Sequence, residues 1–485
     1  MGPAPARSRH AGAGGRWRPL WTSSSSERFR NLLRVPTLCL LVAAPLALGA
    51  VHEPAFVPLL VVGSAVGILS WARGHWVRAL GGSLPSVPGE RAILAFHALV
   101  LAQLVPLPPA LLHVVSPGSF HFYDDVSLLP LAEWRPISVN PADTARGFAF
   151  LAGMSLLYAA VFREFQAERW RRRLSATVVV TGLVMTVAAL VQAASPEPTK
   201  IYGLWKPEWD WGVFGPYVSR NHFAGYIAMA IPLAFAFLAE SLLELAGEWR
   251  RRPRGWVALG GPAGNAVIRR LAATVVLVVG LLASRSRGGL MAFALSVVAL
   301  PLATRGRSRV LVCAALVVVV LAGLYWVDLG PTWQAFESRG IRGSRIDLWR
   351  DALRMFPHFP LLGSGLDTFG SAYPNYQTLS RYHWYGEAHD EYLQVLLDTG
   401  IVGALLMAVL LWTLLRAALR AARESPLDGG MLGALLACCF HNLVDFNWQI
   451  PANAATFAAI AGLSVRRGVE ARLHAVAVDS DRGAA

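Results

Sequence analysis

Charge is what this 485-residue chain has least of: Asp, Glu, Lys and Arg together make up 15% of it, against 55% hydrophobic residues. So little charge over so many long apolar runs argues against a water-soluble domain. The expected fold class is all-α, a polytopic integral membrane protein. Cysteine is scarce as well. The four present, Cys39, Cys313, Cys438 and Cys439, all lie in apolar runs. They are too few for a disulfide framework and read as small core residues. No small-residue cleavage site follows a short apolar stretch near the start, so no cleaved signal peptide is expected. Internal repeats are absent too, which counts against the repeated halves of many transporters.

What charge there is leans basic, with a formal net charge of +14. Nucleic acid is the first partner such a balance suggests, but the distribution rules it out. Residues 1–35 form an Arg-, Ser- and Gly-rich tail expected to be disordered and cytoplasmic. About twelve apolar segments follow, roughly 36–51, 55–72, 92–112, 143–162, 173–193, 222–243, 267–284, 288–304, 309–327, 391–415, 429–447 and 452–466. With the N-terminus inside, the seven cytoplasmic segments hold 31 of the 44 Lys and Arg residues, and the outer segments hold 12. That asymmetry is the positive-inside pattern of a multi-pass protein with both termini in the cytoplasm. The expected layout is a tail at 1–35, helices 1–9 over 36–328, a large outer loop at 329–390 between helices 9 and 10, helices 10–12 over 391–466, and a short tail at 467–485.

The exceptions to the charge rule mark the interesting places. Half of the 12 outer basic residues fall between Arg339 and Arg381, and Arg285 and Arg287 occupy the tight turn A-S-R-S-R-G-G. Basic residues held on the disfavoured side are most simply explained by an anion. The large loop also carries His358, His383, Glu387, His389, Asp390 and Glu391, a polar concentration in an otherwise apolar chain. Such a cluster outside the bilayer points to chemistry or binding.

Other outer segments add to the pattern. Residues 194–221 are aromatic-rich, with Tyr202, Trp205, Trp209, Trp211, Phe214 and Tyr217. They read either as an interfacial belt or as a stacking platform for sugar or lipid. Arg220, Asn221 and His222 stand at the mouth of the sixth segment. His441 and Asp445 are four residues apart, a spacing that places them on one helix face, pointing into the bundle. They serve either to tie helices together or to take part in catalysis.

Five blocks together resemble the bacterial O-antigen ligase and O-antigen polymerase superfamily: P-L-P-P-A-L-L-H-V-V-S-P at 106–117, S-R-N-H-F-A-G-Y at 219–226, S-R-S-R-G-G-L at 284–290, the run from Arg345 through His389 to Gly403, and V-D-F-N-W-Q-I-P-A-N-A at 444–454. The ligase pattern of His, a small polar residue, nine residues, Gly, two residues and Gly fits His389, Gly400 and Gly403, with Asp390 standing where Asn, Ser or Gln is usual. Asp still caps a helix well, but it alters the charge beside His389.

This resemblance implies a polytopic glycosyltransferase, inverting and metal-independent, with no cofactor. It would take a glycan from an undecaprenyl-diphosphate donor at the periplasmic face of the inner membrane. A ligase passes the glycan to an acceptor such as lipid A-core, the last step in building lipopolysaccharide. A polymerase passes it to a growing lipid-linked glycan.

Arg287 and Arg345 match the family's basic positions and would hold the diphosphate, with Arg220 and Arg285 as further candidates. Fixed guanidinium groups suit a leaving group on which negative charge develops. His389 would be the general base, with Asp390, Glu387, His441 and Asp445 on the acceptor side or behind the base. Plainer readings stand beside these: an arginine near a membrane is often a headgroup contact, and His383, Glu387 and His389 have spacing that permits a metal site. A transporter of the same lipid-linked glycans is the alternative of a different class.

Overall fold

The computed structural model describes residues 24–79, 81, 85–125, 133–208, 212–251, 259–303, 345–378 and 384–483. Those residues are helical, with no strand beyond isolated bridges such as Leu107 to Arg135. In chain order the helices are α1 (Ser24–Leu46), α2 (Glu53–Ala79), α3 (Glu90–Gln103), α4 (Pro109–Val115), α5 (Pro117–Asp125), α6 (Pro141–Glu164), α7 (Glu168–Ala193) and α8 (Arg220–Arg251). They continue with α9 (Pro262–Ala283), α10 (Arg287–Ala303), α11 (Arg345–Met355), α12 (Phe369–Ala372), α13 (Glu391–Ala421), α14 (Pro426–His441) and α15 (Pro451–Gly483).

Seven of these, α1, α2, α6, α7, α8, α9 and α13, are long and apolar enough to cross a membrane. The expected count of twelve is therefore not reached among the described residues. Helix α3 has 14 residues, α10 has 17 and α14 has 16. At about 1.5 Å per residue each falls short of a hydrocarbon core of about 30 Å. The expected segment at 309–327 lies outside the described residues.

Burial sorts the spanning helices into centre and rim. In α8, 78% of the most apolar window is buried, against 28% in α13. A helix apolar all round and buried is a central one. Helix α8 packs on α9 and α14, and α14 packs on α10, while α13 lies between α3 and α15 at the rim. On α7, Val180, Val184, Val187 and Val191 form an exposed apolar stripe at helical spacing. Such a stripe suits lipid rather than water. Cys438 and Cys439 are core residues as expected, but Cys39 is exposed on the outer surface of α1. Cys313 lies outside the described residues.

One end of the bundle is laced by ion pairs: Arg73 to Glu164 at 2.9 Å, Arg172 to Glu240 at 2.6 Å and Arg467 to Asp428 at 3.0 Å. The other end carries α11, α12 and the chain between them. This stretch is not an open loop. Leu348, Ala352, Met355, Phe359, Phe369, Ala372 and Tyr373 form a hydrophobic core of their own, closed by Ala388 and Leu397. Helix α11 supplies one apolar face with Leu348, Ala352 and Met355, at the spacing an amphipathic helix requires.

The Pro/Gly run from Pro357 to Gly365 docks this small core onto the bundle. Helix α13 is broken at Gly400, whose φ is 65° and ψ −171°. The break frees backbone groups at membrane depth, which must find partners there. Residues 360–365 supply them. Ile401 N–H donates to the Pro360 carbonyl at 2.9 Å, and the N–H groups of Ser364 and Gly365 donate to the Leu397 and Asp398 carbonyls at 3.0 Å. Gln103, at the end of α3, completes the joint. Its amide donates to the Leu362 carbonyl at 2.6 Å and the Asp398 carbonyl at 2.8 Å.

A Cβ on residue 400 would lie 2.2 Å from the Leu361 carbonyl carbon. The left-handed φ adds strain for any L side chain. Gly400→Ala should therefore lower the thermal midpoint of the purified protein by several degrees, the expected size for a loss of about 2 kcal/mol. A midpoint equal to the parent's would mean that the joint is loose.

Candidate functional site

The site is built where three helix ends meet on the docked side of the bundle. Helix α14 stops at His441, and the chain turns through residues 442–450 before α15 begins. The turn is pinned by amides: Asn447 N–H donates to Asn442 Oδ1 at 2.7 Å, and Asn453 Nδ2 donates to Asn447 Oδ1 and to the His222 carbonyl, both at 2.9 Å. Asp445 rides on this turn. The spacing of His441 and Asp445 suggested one helix face. They do come together, but because the chain folds back after the helix ends, not by helical spacing.

Asp445 is 1% exposed, and three imidazoles surround it. His389 Nδ1 lies 3.7 Å from Oδ1, His441 Nε2 lies 3.7 Å from Oδ2, and His222 Nε2 lies 3.9 Å from Oδ1. These are ion-pair distances slightly beyond a closed hydrogen bond. The Phe446 ring is set edge-on to both His222 and His389, with centroids 4.9 and 5.0 Å away. Burial pushes the Asp445 carboxyl up, but His389, His222 and His441 outweigh it and hold it below the ordinary carboxylate range. Asp445 is therefore a fixed negative charge at neutral pH.

His389 is the most accessible of the three, with 32% of its side chain exposed. Its backbone sits at φ 53°, a left-handed conformation rare for a non-glycine residue. The neighbours impose it. Trp349 Nε1 donates to the Ala388 carbonyl at 2.9 Å, and Ala388 N–H donates to Gln394 Oε1 at 2.8 Å. Asp390 then caps α13, accepting from the N–H groups of Tyr392 and Leu393 at 3.0 and 3.1 Å. The cap expected of Asp390 is thus in place.

The arginines divide. Arg345 opens α11 and donates to the Val444 carbonyl, one residue from Asp445. Burial lowers its pKa, the Asp445 charge opposes that, and the Arg287 charge adds to it, so the two guanidiniums and the carboxylate feel one another. Arg287 opens α10 on the same side. There Gly288 lies against His441, and Ser286 Oγ donates to Asn221 Oδ1 at 2.9 Å. Arg220 lies along Gly212, whose carbonyl accepts from its N–H. Arg285 is exposed at φ 53° and enters none of the contacts that hold the cluster.

Below and beside His389 opens a cavity of about 980 Å³. Its walls change character with depth. Phe150, Met154, Leu410, Leu414 and Phe457 from α6, α13 and α15 line it with apolar surface. His222, Asp367, Glu387, Glu391, Asp398 and Asp445 line its polar part. Glu387 is buried, and its carboxyl is raised well above the usual range by burial and by the charge of Asp367. It accepts a hydrogen bond from Gln394 Nε2. Asp367 is itself pushed up to about 6 by burial and the nearby Asp143. Among the described residues no group of three His, Cys, Asp or Glu side chains is arranged to hold a metal ion, and His383 lies outside them.

His389, Arg287, Arg345, His441 and Asp445 are thus brought together, and Glu387 lines the same cavity as His389 and Asp445. Sequence reasoning missed His222 as a partner of Asp445, and it missed the polar wall of Gln394, Asp398 and Gln449. Asp398 carried a usable signal, since a carboxylate inside an apolar run demands a reason.

No curated protein matches the chain. Residues 272–408 match the family model described as O-Antigen ligase, a stretch that contains Arg287, Arg345, His389, Gly400 and Gly403. His222, His441 and Asp445 fall outside the matched residues and complete the cluster from α8 and the α14–α15 turn. The chain thus joins membrane-length helices to a domain, over residues 272–408, that is similar to the O-antigen ligase family.

Proposed function

We propose that the protein transfers a glycan from an undecaprenyl-diphosphate donor to an acceptor hydroxyl, as an O-antigen ligase does, with the site end of the bundle facing the periplasm and both termini in the cytoplasm. One observation carries the reading: a buried carboxylate ringed by three histidines, next to Arg345, at the polar end of a cavity whose other end is apolar. A lipid-linked sugar has the same two-part character.

In this reading Arg345 and Arg287 hold the diphosphate and stabilise the charge that gathers on it as the glycosidic bond breaks. His389 takes the proton of the acceptor hydroxyl. Asp445 faces Nδ1 and leaves Nε2 as the accepting nitrogen. The acceptor oxygen bonds to the anomeric carbon as the bond from that carbon to the phosphate oxygen breaks, and the configuration inverts. The electron pair leaves on the diphosphate, which Arg345 and Arg287 neutralise without a divalent ion.

Purified protein incubated with a lipid-diphosphate oligosaccharide and lipid A-core tests this. A single added glycan is the expected product, and it should form equally with a chelator present. A ladder of lengths made without lipid A-core would identify a polymerase. No new glycosidic bond would turn the reading toward transport.

Arg345→Lys is expected to lower transfer at least tenfold, or about 1.4 kcal/mol of barrier, with normal expression. Lysine keeps the charge and loses the planar fork that binds two phosphate oxygens at once. Near-parental turnover of the Lys variant would reduce Arg345 to a structural tie to the Val444 carbonyl.

A further inference from the structure

The cavity has a second polar wall that the transfer chemistry above does not use. Glu387, Glu391, Gln394, Asp398 and Gln449 line it, together with Asp367. Three amides are interleaved with the acids. Gln394 donates to Glu387, and Gln449 lies 2.6 Å from Glu387 Oε2 and accepts from Gln394 Nε2 at 2.9 Å in the amide orientation that satisfies both neighbours. Gln103 holds the backbone behind Asp398. The wall is thus rigid, and its groups are aimed.

Two of its oxygens meet no hydrogen-bond partner among the described residues: Glu391 Oε2 and Asp398 Oδ1. Both residues are more than nine-tenths buried, and both line the cavity. Buried polar atoms are satisfied in nearly all folded proteins, so unsatisfied ones facing a cavity point to a ligand with donors. A flat aromatic surface stands at the same opening. Trp384 is 72% exposed, its Nε1 donates to the Gly370 carbonyl at 3.1 Å, and its ring lies against Gly370 and Gly386, where no side chain intervenes. Among the described residues one arginine lines the cavity, Arg146, and Glu53 pairs with it at 2.8 Å.

We infer that this wall is the docking site for the acceptor sugar, and that the sugar it takes is a neutral, polyhydroxylated residue bearing no carboxylate or phosphate. Its role as an acceptor site rests on the transferase reading. Carboxyl and amide oxygens accept from sugar hydroxyls, amide N–H groups donate to them, and the apolar face of the ring lies on Trp384. A uronic acid in the same place would have to bury its charge in a poorly hydrated cavity whose lining arginine, Arg146, is already paired with Glu53. Burying an unpaired carboxylate is costly, and such a cost is how a site rejects a near-identical ligand.

The test is binding, so it does not depend on turnover. The full-length protein in detergent is titrated with galactotetraose and with tetragalacturonate, which differ in the oxidation state of C6, and saturation-transfer NMR reads the affinity. The neutral tetrasaccharide should bind, the uronate at least tenfold more weakly, and Trp384→Ala should weaken the neutral sugar at least fivefold. Replacing Glu387 and Glu391 together by Gln should narrow the gap between the two sugars. Equal or tighter binding of the uronate, or binding of neither sugar, overturns the inference. Discrimination without any transfer from a lipid-diphosphate donor would leave this site standing and sink the proposed function. Transfer to neutral and acidic acceptors at equal rates would do the reverse.

Discussion

His389→Ala should insert, fold and purify like the parent and lose glycan transfer by about 10² to 10⁴-fold, the range a general base contributes. The residue packs little core, since a third of its side chain is exposed. Its left-handed backbone is held by Trp349, Gln394 and the Asp390 cap, none of which needs the imidazole. The fold should therefore survive the change while the chemistry fails. His389→Gln separates two roles. An amide can hydrogen-bond an acceptor hydroxyl but cannot take its proton at neutral pH. Both variants should bind donor normally, and both should be slow in single-turnover assays. If Gln recovers most of the rate, His389 only orients the acceptor, and the base must be sought among the carboxyls of the cavity.

Asp445→Asn should have the second largest effect, a loss of at least about 10² in turnover. The carboxylate touches no substrate in this reading. It is a positioning residue, the common counter-charge for His389, His441 and His222. Without its charge, the imidazolium that forms at His389 loses the group that stabilises it. Two measurements separate this from a structural role. The loss should fall on kcat with donor KM little changed, because Arg345 keeps its bond to the Val444 carbonyl. The double variant with His389→Ala should be no slower than His389→Ala alone, since residues acting as a unit are not additive. Additive losses, or a collapse in donor binding, would make Asp445 a tie between helices.

Several members of the cluster were legible in the sequence, whereas the way they meet was not. Arg287 and Arg345 stood out as positive charge in segments that the charge asymmetry otherwise leaves nearly bare. His389 stood out through its spacing to Gly400 and Gly403. His222 was noted only for its place at the mouth of the sixth segment, because nothing in the sequence marks which carboxylate a histidine there will face. The stretch from Arg345 to Asp390 read as a polar loop because its apolar residues, such as Leu348, Phe359 and Phe369, are too scattered to form a run. Only when brought together do they make a core. Spacing misled at His441 and Asp445, since helical periodicity carries no mark of where α14 ends.

The sequence by itself determined that this chain is a helical membrane protein, because hydropathy and charge asymmetry are sums over residues and need no partner. It also determined which residues were chemically out of place in so apolar a chain. The tertiary structure decided which of them meet. Asp445 is drawn to His389 by a backbone bond from Glu391 N–H to the Asn442 carbonyl at 2.9 Å, between segments that hydropathy treats as separate. Gly400 became a helix break rather than a packing glycine because residues 360–365 could satisfy what the break exposed. The physical reason is the same in both cases. Hydropathy is additive along the chain, whereas hydrogen-bond satisfaction and electrostatic pairing depend on groups far apart in sequence, and only the folded chain fixes their distances.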